Sequence, residues 1–196
     1  MNFKEKLNMI NKLYFNENYQ ELNTNNLTQI ENNLKINLPR QLKEFYMIFS
    51  KKEEFLKIIN NILLPNKLYI ENNILVLVEE NQNICSYGIE IKSHKIFYLS
   101  NNFKEELEFD IEDFLIYILA LQGTGYLDCV GELESNFIDI VKQNFIKITK
   151  TEEKGAVYCN KDAILVNTGN NIFICTKDDK TMEQIENKYN LLIDYL

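Results

Sequence analysis

Apolar residues recur at helical spacing in the first fifty residues. This pattern predicts a helix over 3–15 and a second helix before Leu34, where Thr28 and Glu31 have the spacing of a capping box. Pro39 is well placed in the first turn of a third helix. The predicted buried faces of the first and third helices are Phe3, Leu7, Ile10 and Tyr14, and Leu42, Phe45, Tyr46 and Phe49.

The pattern becomes strand-like after Pro65. Residues 51–62 could extend or restart the third helix, which Pro65 would end. Segments rich in branched and aromatic residues then alternate with short polar turns, so an antiparallel meander is predicted. Its strands are expected at 68–71, 74–80, 84–91 and 95–99.

The second half of the chain returns to helix and then to strands. Residues 111–122 are apolar on most sides and predict a buried helix, and Gly123–Gly125 reads as its C-cap and turn. Helices in one block and strands in another predict an α+β fold with an antiparallel or mixed central sheet flanked by helices. The remaining predicted elements are a helix at about 134–145, strands near 146–150, 155–159, 163–167 and 172–176, and a helix at about 180–190.

One short pattern occurs twice, ninety residues apart. Ile74-Leu75-Val76 with Asn81 and Cys85 recurs as Ile164-Leu165-Val166 with Asn171 and Cys175. Both copies predict a hairpin. A duplication and a coincidence of composition are both compatible with the pattern.

Composition changes the picture in two ways. The 196 residues are 45% hydrophobic, which is typical of a globular protein, and the 28 Asn against one Arg are typical of an AT-rich genome. The Asn runs therefore carry little functional weight.

Three features of the sequence bear on localisation. The first fifteen residues lack the apolar core of a signal peptide, and no apolar run approaches the roughly 20 residues of a membrane span. The four Cys are scattered, which suggests reduced thiols. We therefore expect a cytoplasmic protein.

The net charge of the protein and its distribution along the chain argue against some classes of binding partner. The net charge of -8 argues against a nucleic-acid binder and against docking on an anionic membrane. Residues 1–98 carry 11 acids and 12 bases, whereas residues 99–196 carry 18 acids and 9 bases. Between Lys104 and Lys142 there is no base at all, and the ten acids there are Glu105, Glu106, Glu108, Asp110, Glu112, Asp113, Asp128, Glu132, Glu134 and Asp139.

This acidic stretch has three interpretations. Asp110, Glu112 and Asp113 lie where the helix at 111–122 should start, so they can cap it and complement its dipole, which would make the stretch a solvated face. A basic protein partner would relieve the self-repulsion and gain association rate from the same field. A metal site is the third interpretation, although the spacing lacks the glycine-containing calcium loop. The candidate partner-binding face is Glu105, Glu106, Glu108, Asp110, Glu112 and Asp113.

The sequence contains no recognisable catalytic, cofactor or metal site. His94, the single histidine, lies in a predicted turn between two lysines and reads as a solvent-exposed loop residue. Glu79 and Glu80 are adjacent on a predicted strand, so their side chains should point to opposite faces and not converge as a glycosidase pair. We expect no enzyme; a hydrolase in the 123–196 region is the weakest hypothesis because no nucleophile–base pair is visible.

Four short motifs, in order, resemble the SUKH superfamily, which includes fungal Smi/Knr-type regulators and many bacterial toxin-immunity proteins. They are Leu34, Ile36, Leu38 and Pro39; Glu80-Asn81-Gln82; Tyr87-Gly88-Ile89; and Asp113-Phe114-Leu115. The similarity covers residues 27–122, and it places a SUKH-like domain at 1–125 with a helix-strands-helix extension at 126–196. Lys35 stands where the family has glycine, Tyr87 where it has tryptophan, and Ser50-Lys51 where it often has Asn-Gly.

The resemblance implies a fold of helices around a sheet, no catalysis and no cofactor. It further implies a bacterial immunity protein that binds and neutralises a cognate polymorphic toxin, such as a nuclease. The alternative is a SUKH-like interaction module with a regulatory or housekeeping partner. The motif positions Leu38, Pro39, Glu80, Asn81, Gln82, Tyr87, Gly88, Phe114 and Leu115 are expected to be mainly structural.

Overall fold

The computed structural model describes residues 1–17, 25–82, 84–101, 103–152 and 154–196. These residues form helices and two antiparallel sheets, so the predicted α+β class is confirmed. The helices are α1 (Phe3–Phe15), α2 (Asn25–Leu34), α3 (Arg40–Phe49), α4 (Ile111–Tyr126), α5 (Ile138–Asn144) and α6 (Asp179–Tyr189). The strands are β1 (Asn60–Ile62), β2 (Tyr69–Glu71), β3 (Ile74–Glu80), β4 (Cys85–Glu90), β5 (Ile96–Ser100), β6 (Phe103–Leu107), β7 (Cys129–Leu133), β8 (Ile146–Lys147), β9 (Val157–Cys159), β10 (Ala163–Asn167), β11 (Ile172–Thr176) and β12 (Ile193–Tyr195).

The chain divides into two compact units, at positions that differ from the predicted 1–125 and 126–196. The middle unit is Tyr19–Leu115, and the terminal unit is Met1–Asn18 with Ile116–Leu196. Helix α1 belongs to the terminal unit because the buried hydroxyl of Tyr14 donates to the carbonyl of Leu119, at 3.2 Å. The boundary therefore falls within α4.

The middle unit is built on a six-stranded sheet in the order β1-β3-β4-β5-β6, and β2 also pairs with β3. The predicted meander is confirmed, and β6 extends it by one edge strand. Strand β3 is buried over Ile74–Val78. The four residues of the predicted buried face of α3 are buried as well. Aromatic packing extends beyond this helix to Phe55, whose ring centre lies 6.3 Å from that of Phe49.

Residues 51–62 do not extend the third helix. A short 3-10 turn at Phe55–Lys57 is followed by β1, which pairs with β3 from Asn60 opposite Glu80 to Ile62 opposite Val78. The amide of Asn81 donates to the carbonyls of Ile58 and Ile59, at 3.3 and 2.8 Å. Those two carbonyls are thereby bonded outside a helix, and pairing with a distant strand prevails over the local helical pattern.

The predicted capping box at Thr28 and Glu31 is wrong. Thr28 lies inside α2, which already begins at Asn25. Glu31 instead stabilises the connection to the third helix, because its carboxylate accepts from the backbone N–H of Leu38 at 2.7 Å and pairs with Lys43 at 2.8 Å. The side chain acts across the inter-helix turn rather than at the start of its own helix.

The terminal unit is built on a second six-stranded sheet, in the order β12-β7-β11-β10-β9-β8. Its core combines Leu165 and Ile174 of the sheet with Val141 of α5 and Met182 and Ile185 of α6. The four strands and the last helix predicted for this region are confirmed. Strands β7 and β12 are not predicted by the pattern, and residues 123–125 lie within α4 rather than in a turn.

The repeated ILV pattern is not a repeated structure. Both copies form hairpins, but Ile164 pairs with Cys175, whereas Ile74 pairs with Glu90 and Cys85 pairs with Ser100 of β5. The strand partners of equivalent residues therefore differ. The similarity is better explained by a composition rich in Ile and Asn than by duplication.

Two buried tyrosines should respond oppositely to loss of their hydroxyl groups. Tyr46 donates to the carbonyl of Leu63 at 2.8 Å, whereas the hydroxyl of Tyr158 has no hydrogen-bond partner in the described part of the chain. We expect Tyr46→Phe to lower the free energy of unfolding by about 1–2 kcal/mol, because a buried carbonyl is left unpaired. Tyr158→Phe should leave it unchanged or raise it by about 1 kcal/mol. Urea denaturation measures both; a larger loss for Tyr158→Phe would contradict this account.

Candidate protein-binding surface

The predicted acidic face lies around the free edge of the middle sheet. Glu105 and Glu106 are exposed on edge strand β6, and Glu108 is exposed in the loop that follows. Charged side chains on an edge strand also discourage pairing with other chains. Glu112 is half-buried in the first turn of α4, where a negative charge complements the helix dipole.

Asp110 and Asp113 have structural positions. Asp110 caps α4: its carboxylate accepts from the N–H of Asp113 at 2.9 Å and its carbonyl accepts from the N–H of Phe114 at 3.0 Å. Asp113 is only 2% exposed, so its inclusion in the binding face is wrong. The burial of α4 on most sides explains this, because Ile111 and residues 113–116 are all buried and Glu112 is the residue of the first turn that is partly exposed.

Of the two glutamates on β6, Glu106 has a lysine partner in the folded structure. Glu106 pairs with Lys95 at 2.6 Å, and the neighbouring Lys104 pairs with Glu90 at 3.2 Å while its ammonium lies 4.0 Å from the centre of the Phe97 ring. Antiparallel pairing of β5 with β6, with Ile96 opposite Leu107 and Phe97 opposite Glu106, brings Lys95 close to Glu106. Among the described residues, Glu105, Glu108 and Glu112 form no salt bridge.

The remaining acids of the base-free stretch belong to the other unit. Glu132 lies on β7, Asp139 lies in the first turn of α5, and Asp128 and Glu134 flank β7. The ten acids are therefore divided between two units, and the acidic surface at the β6 edge contains only acids of the middle unit.

A row of aromatic side chains accompanies the acids. Tyr98 pairs with Glu105 across the strands and lies 6.3 Å from the ring of Phe103, which is 57% exposed. Tyr98 also lies 5.4 Å from Tyr87, which in turn lies 6.2 Å from Phe114. Burial, with the nearby Cys85 thiol, raises the pKa of the Tyr87 hydroxyl. Sequence reasoning selected neither Tyr98 nor Phe103; only strand register places Tyr98 opposite Glu105 and close to the ring of Phe103.

The motif positions have clear structural roles. Leu38 and Leu115 are buried, and Pro39 is the N-cap of α3. A side chain at Gly88 would overlap the backbone of Leu75 and the side chain of Ile74, so the close approach of β3 and β4 requires glycine. The remaining positions are turn or packing residues. Glu80 accepts from the Cys85 thiol at 3.7 Å, and Asn81 donates to the carbonyls before β1. Gln82 is exposed in the turn after β3, and Tyr87 packs on Phe114.

Candidate chemical groups do not converge in the described residues. His94 lies in an exposed turn, as predicted, with φ of 59°. Glu79 and Glu80 point to opposite faces, since Glu79 accepts from Tyr69 and Glu80 from Cys85. No group of three or more His, Cys, Asp or Glu in the described residues is arranged to hold a metal ion.

The four cysteines are free thiols, and three of them are buried. Cys159 and Cys175 each pair with Ile164 from opposite sides, so two strand spacings, about 9.6 Å, separate them. That distance exceeds the span of a disulfide. Burial raises the pKa of both thiols to about 12, which keeps them protonated and unreactive.

No helix in the described part of the chain has both the length and the apolar character that crossing a bilayer requires. Comparison with protein-family models, with curated proteins and with solved structures gives no significant match to this chain.

Proposed function

We propose that this protein is a non-catalytic immunity protein that binds a cognate toxin domain and neutralises it. The observation that carries the proposal is the surface at the β6 edge, where Glu105 and Glu108 are exposed and form no salt bridge with described residues, and where Phe103 of the same strand exposes its ring. Such a surface favours a basic protein partner, because opposite charge accelerates encounter and aromatic side chains supply buried contact area. A toxin domain that acts on nucleic acid has the required basic face.

The backbone at one motif position supports the SUKH resemblance on which the toxin hypothesis depends. Lys35, where the family has glycine, follows α2 with φ of 55°, the left-handed conformation that glycine accommodates most easily. The conformation agrees with a glycine position even though the residue does not. Gly88 supports it in the same way, because the packing at that position requires glycine.

Co-expression tests the proposed function directly. The toxin domain encoded immediately upstream of the gene should kill bacterial cells when it is expressed alone in the cytoplasm, and cells that also express this protein should grow. The matched control is a toxin variant without activity, which shows that growth depends on neutralisation. Death of cells that contain the folded protein at an excess over the toxin would reject the proposal. Capture of a resident partner from the native cytoplasm would instead favour the regulatory alternative.

A further inference from the structure

A groove crosses the open face of the middle sheet. It has a volume of about 730 Å³ and runs from β2 to β6 over five strands. Four strand spacings make it about 19 Å wide, which is the length of about six extended residues. Its described lining includes Tyr69, Glu71, Glu79, Ile84, Phe103 and Lys104.

One end of the groove holds an oriented carboxylate with no cation. Glu79 accepts from the side-chain amide of Asn61 and from the hydroxyl of Tyr69, both at 3.1 Å. These donors are neutral, and neither Glu79 nor Glu71 forms a salt bridge with any described residue. Partial burial raises the pKa of the Tyr69 hydroxyl to about 12, and its hydrogen bond to Glu79 and the charges of Glu79 and Glu71 add to the effect of burial.

Lys104 is the cationic residue in the described lining of the groove, and its ammonium group contacts residues outside the groove. Lys104 pairs with Glu90 and lies over the Phe97 ring, and neither of these residues lines the groove. At the rim, Ile84 and Phe103 expose 54% and 57% of their surfaces. A groove that combines large exposed apolar side chains with a carboxylate lacking a salt bridge among the described residues is typical of a surface that another protein covers.

We propose that this groove is the docking site for an extended, arginine-bearing segment of a protein partner. The guanidinium group binds the carboxylates of Glu79 and Glu71, and an apolar side chain of the same segment covers Ile84 and Phe103. Arginine fits better than lysine, because a planar guanidinium pairs with a carboxylate and stacks on an aromatic ring such as that of Tyr69. The inference rests on the proposed function only in requiring a protein partner, and it assigns the specific contact to the face of the sheet, which shares Phe103 with the acidic edge.

Peptide titration tests the groove without any toxin. The probe is the peptide acetyl-Arg-Leu-Arg-Leu-amide, added to the full-length protein at up to about 1 mM while backbone amide NMR shifts are followed. The matched control peptide carries citrulline in place of arginine, which keeps the shape and removes the charge. We expect shifts along the groove from β2 and β3 to Phe103 of β6 with the arginine peptide, and much smaller ones with the citrulline peptide.

Two variants localise the contact. Glu79→Gln should weaken binding of the arginine peptide about tenfold, and Glu71→Gln about threefold, while the control Glu54→Gln, at an exposed acid outside both the groove and the acidic edge, should leave it unchanged. The NMR spectrum of each variant reports whether it is folded. Equal binding of the two peptides, shifts confined to residues 103–112, or an unchanged affinity of folded Glu79→Gln would each overturn the inference. Rescue from the toxin is a separate measurement, so its failure would reject the proposed function without altering the peptide result.

Discussion

Replacing Gly123 with alanine should lower the free energy of unfolding by about 2–3 kcal/mol. A β-carbon at this buried position of α4 would overlap the hydroxyl of Tyr14 and lie 2.7 Å from its ring carbon Cζ. Tyr14 cannot retreat easily, because its hydroxyl donates to the carbonyl of Leu119 from within the core. The added methyl group must therefore displace α1 from α4 or break this buried hydrogen bond.

Gly125 provides the matched control. It lies in the last turn of the same helix but is exposed, so alanine there should raise the free energy of unfolding by up to about 1 kcal/mol through higher helix propensity. Guanidinium denaturation of the two variants should give opposite signs. Tyr14→Leu in the Gly123→Ala background should recover part of the loss, because the smaller side chain makes room. Equal responses at the two glycines would contradict the packing of Tyr14 on Gly123.

Gly123 also illustrates where sequence reasoning failed. Two glycines after an apolar helical run are typical of a helix C-cap, and nothing local distinguishes that case from a helix that continues. The distinguishing contact comes from Tyr14, more than a hundred residues away in sequence. The same limit applies to β1, which the local pattern assigns to helix until its pairing with β3 is known.

The elements that were predicted well have a strong local signal. Helix α3 has its apolar residues at i, i+3, i+4 and i+7, and all four are buried. The strands of the meander combine branched residues with polar turns at regular intervals. Strands β7 and β12 lack such a run: Cys129–Leu133 contains a glycine and a glutamate, and Ile193–Tyr195 has only three residues. Their pairing with neighbouring strands defines them.

The candidate site likewise combines features that the sequence predicts with features that depend on the folded structure. The sequence correctly placed Glu105 and Glu108 on an exposed surface, since these acids lie in a polar segment before a helix. It did not place Lys95 against Glu106, or Glu79 in a groove with Asn61 and Tyr69. Those relations depend on strand register, which one sequence does not specify. The number of acids in a segment was therefore a poor measure of its uncompensated charge.

Charge reversal at Glu105 and Glu108 should slow association with the cognate toxin domain about tenfold at low ionic strength. Both side chains are exposed and form no salt bridge with described residues, so the Glu105→Lys/Glu108→Lys variant should fold normally. The dissociation rate should change little, because exposed charges act mainly on encounter. Stopped-flow binding at several salt concentrations measures this, and the difference should largely disappear at about 0.5 M salt, where screening is strong.

If the β6 edge faces the toxin, the slower association must depend on where the charges are reversed and not only on the change in net charge. Glu54 and Glu183 are exposed acids outside the stretch, and reversing both gives the same change in net charge. That control should slow association much less than the Glu105→Lys/Glu108→Lys variant does. Equal slowing by both variants would show that the protein's overall charge attracts the toxin and that the β6 edge has no special role. A faster dissociation of Glu79→Gln, with its association rate unchanged, would then identify the groove as the contact that holds the complex together.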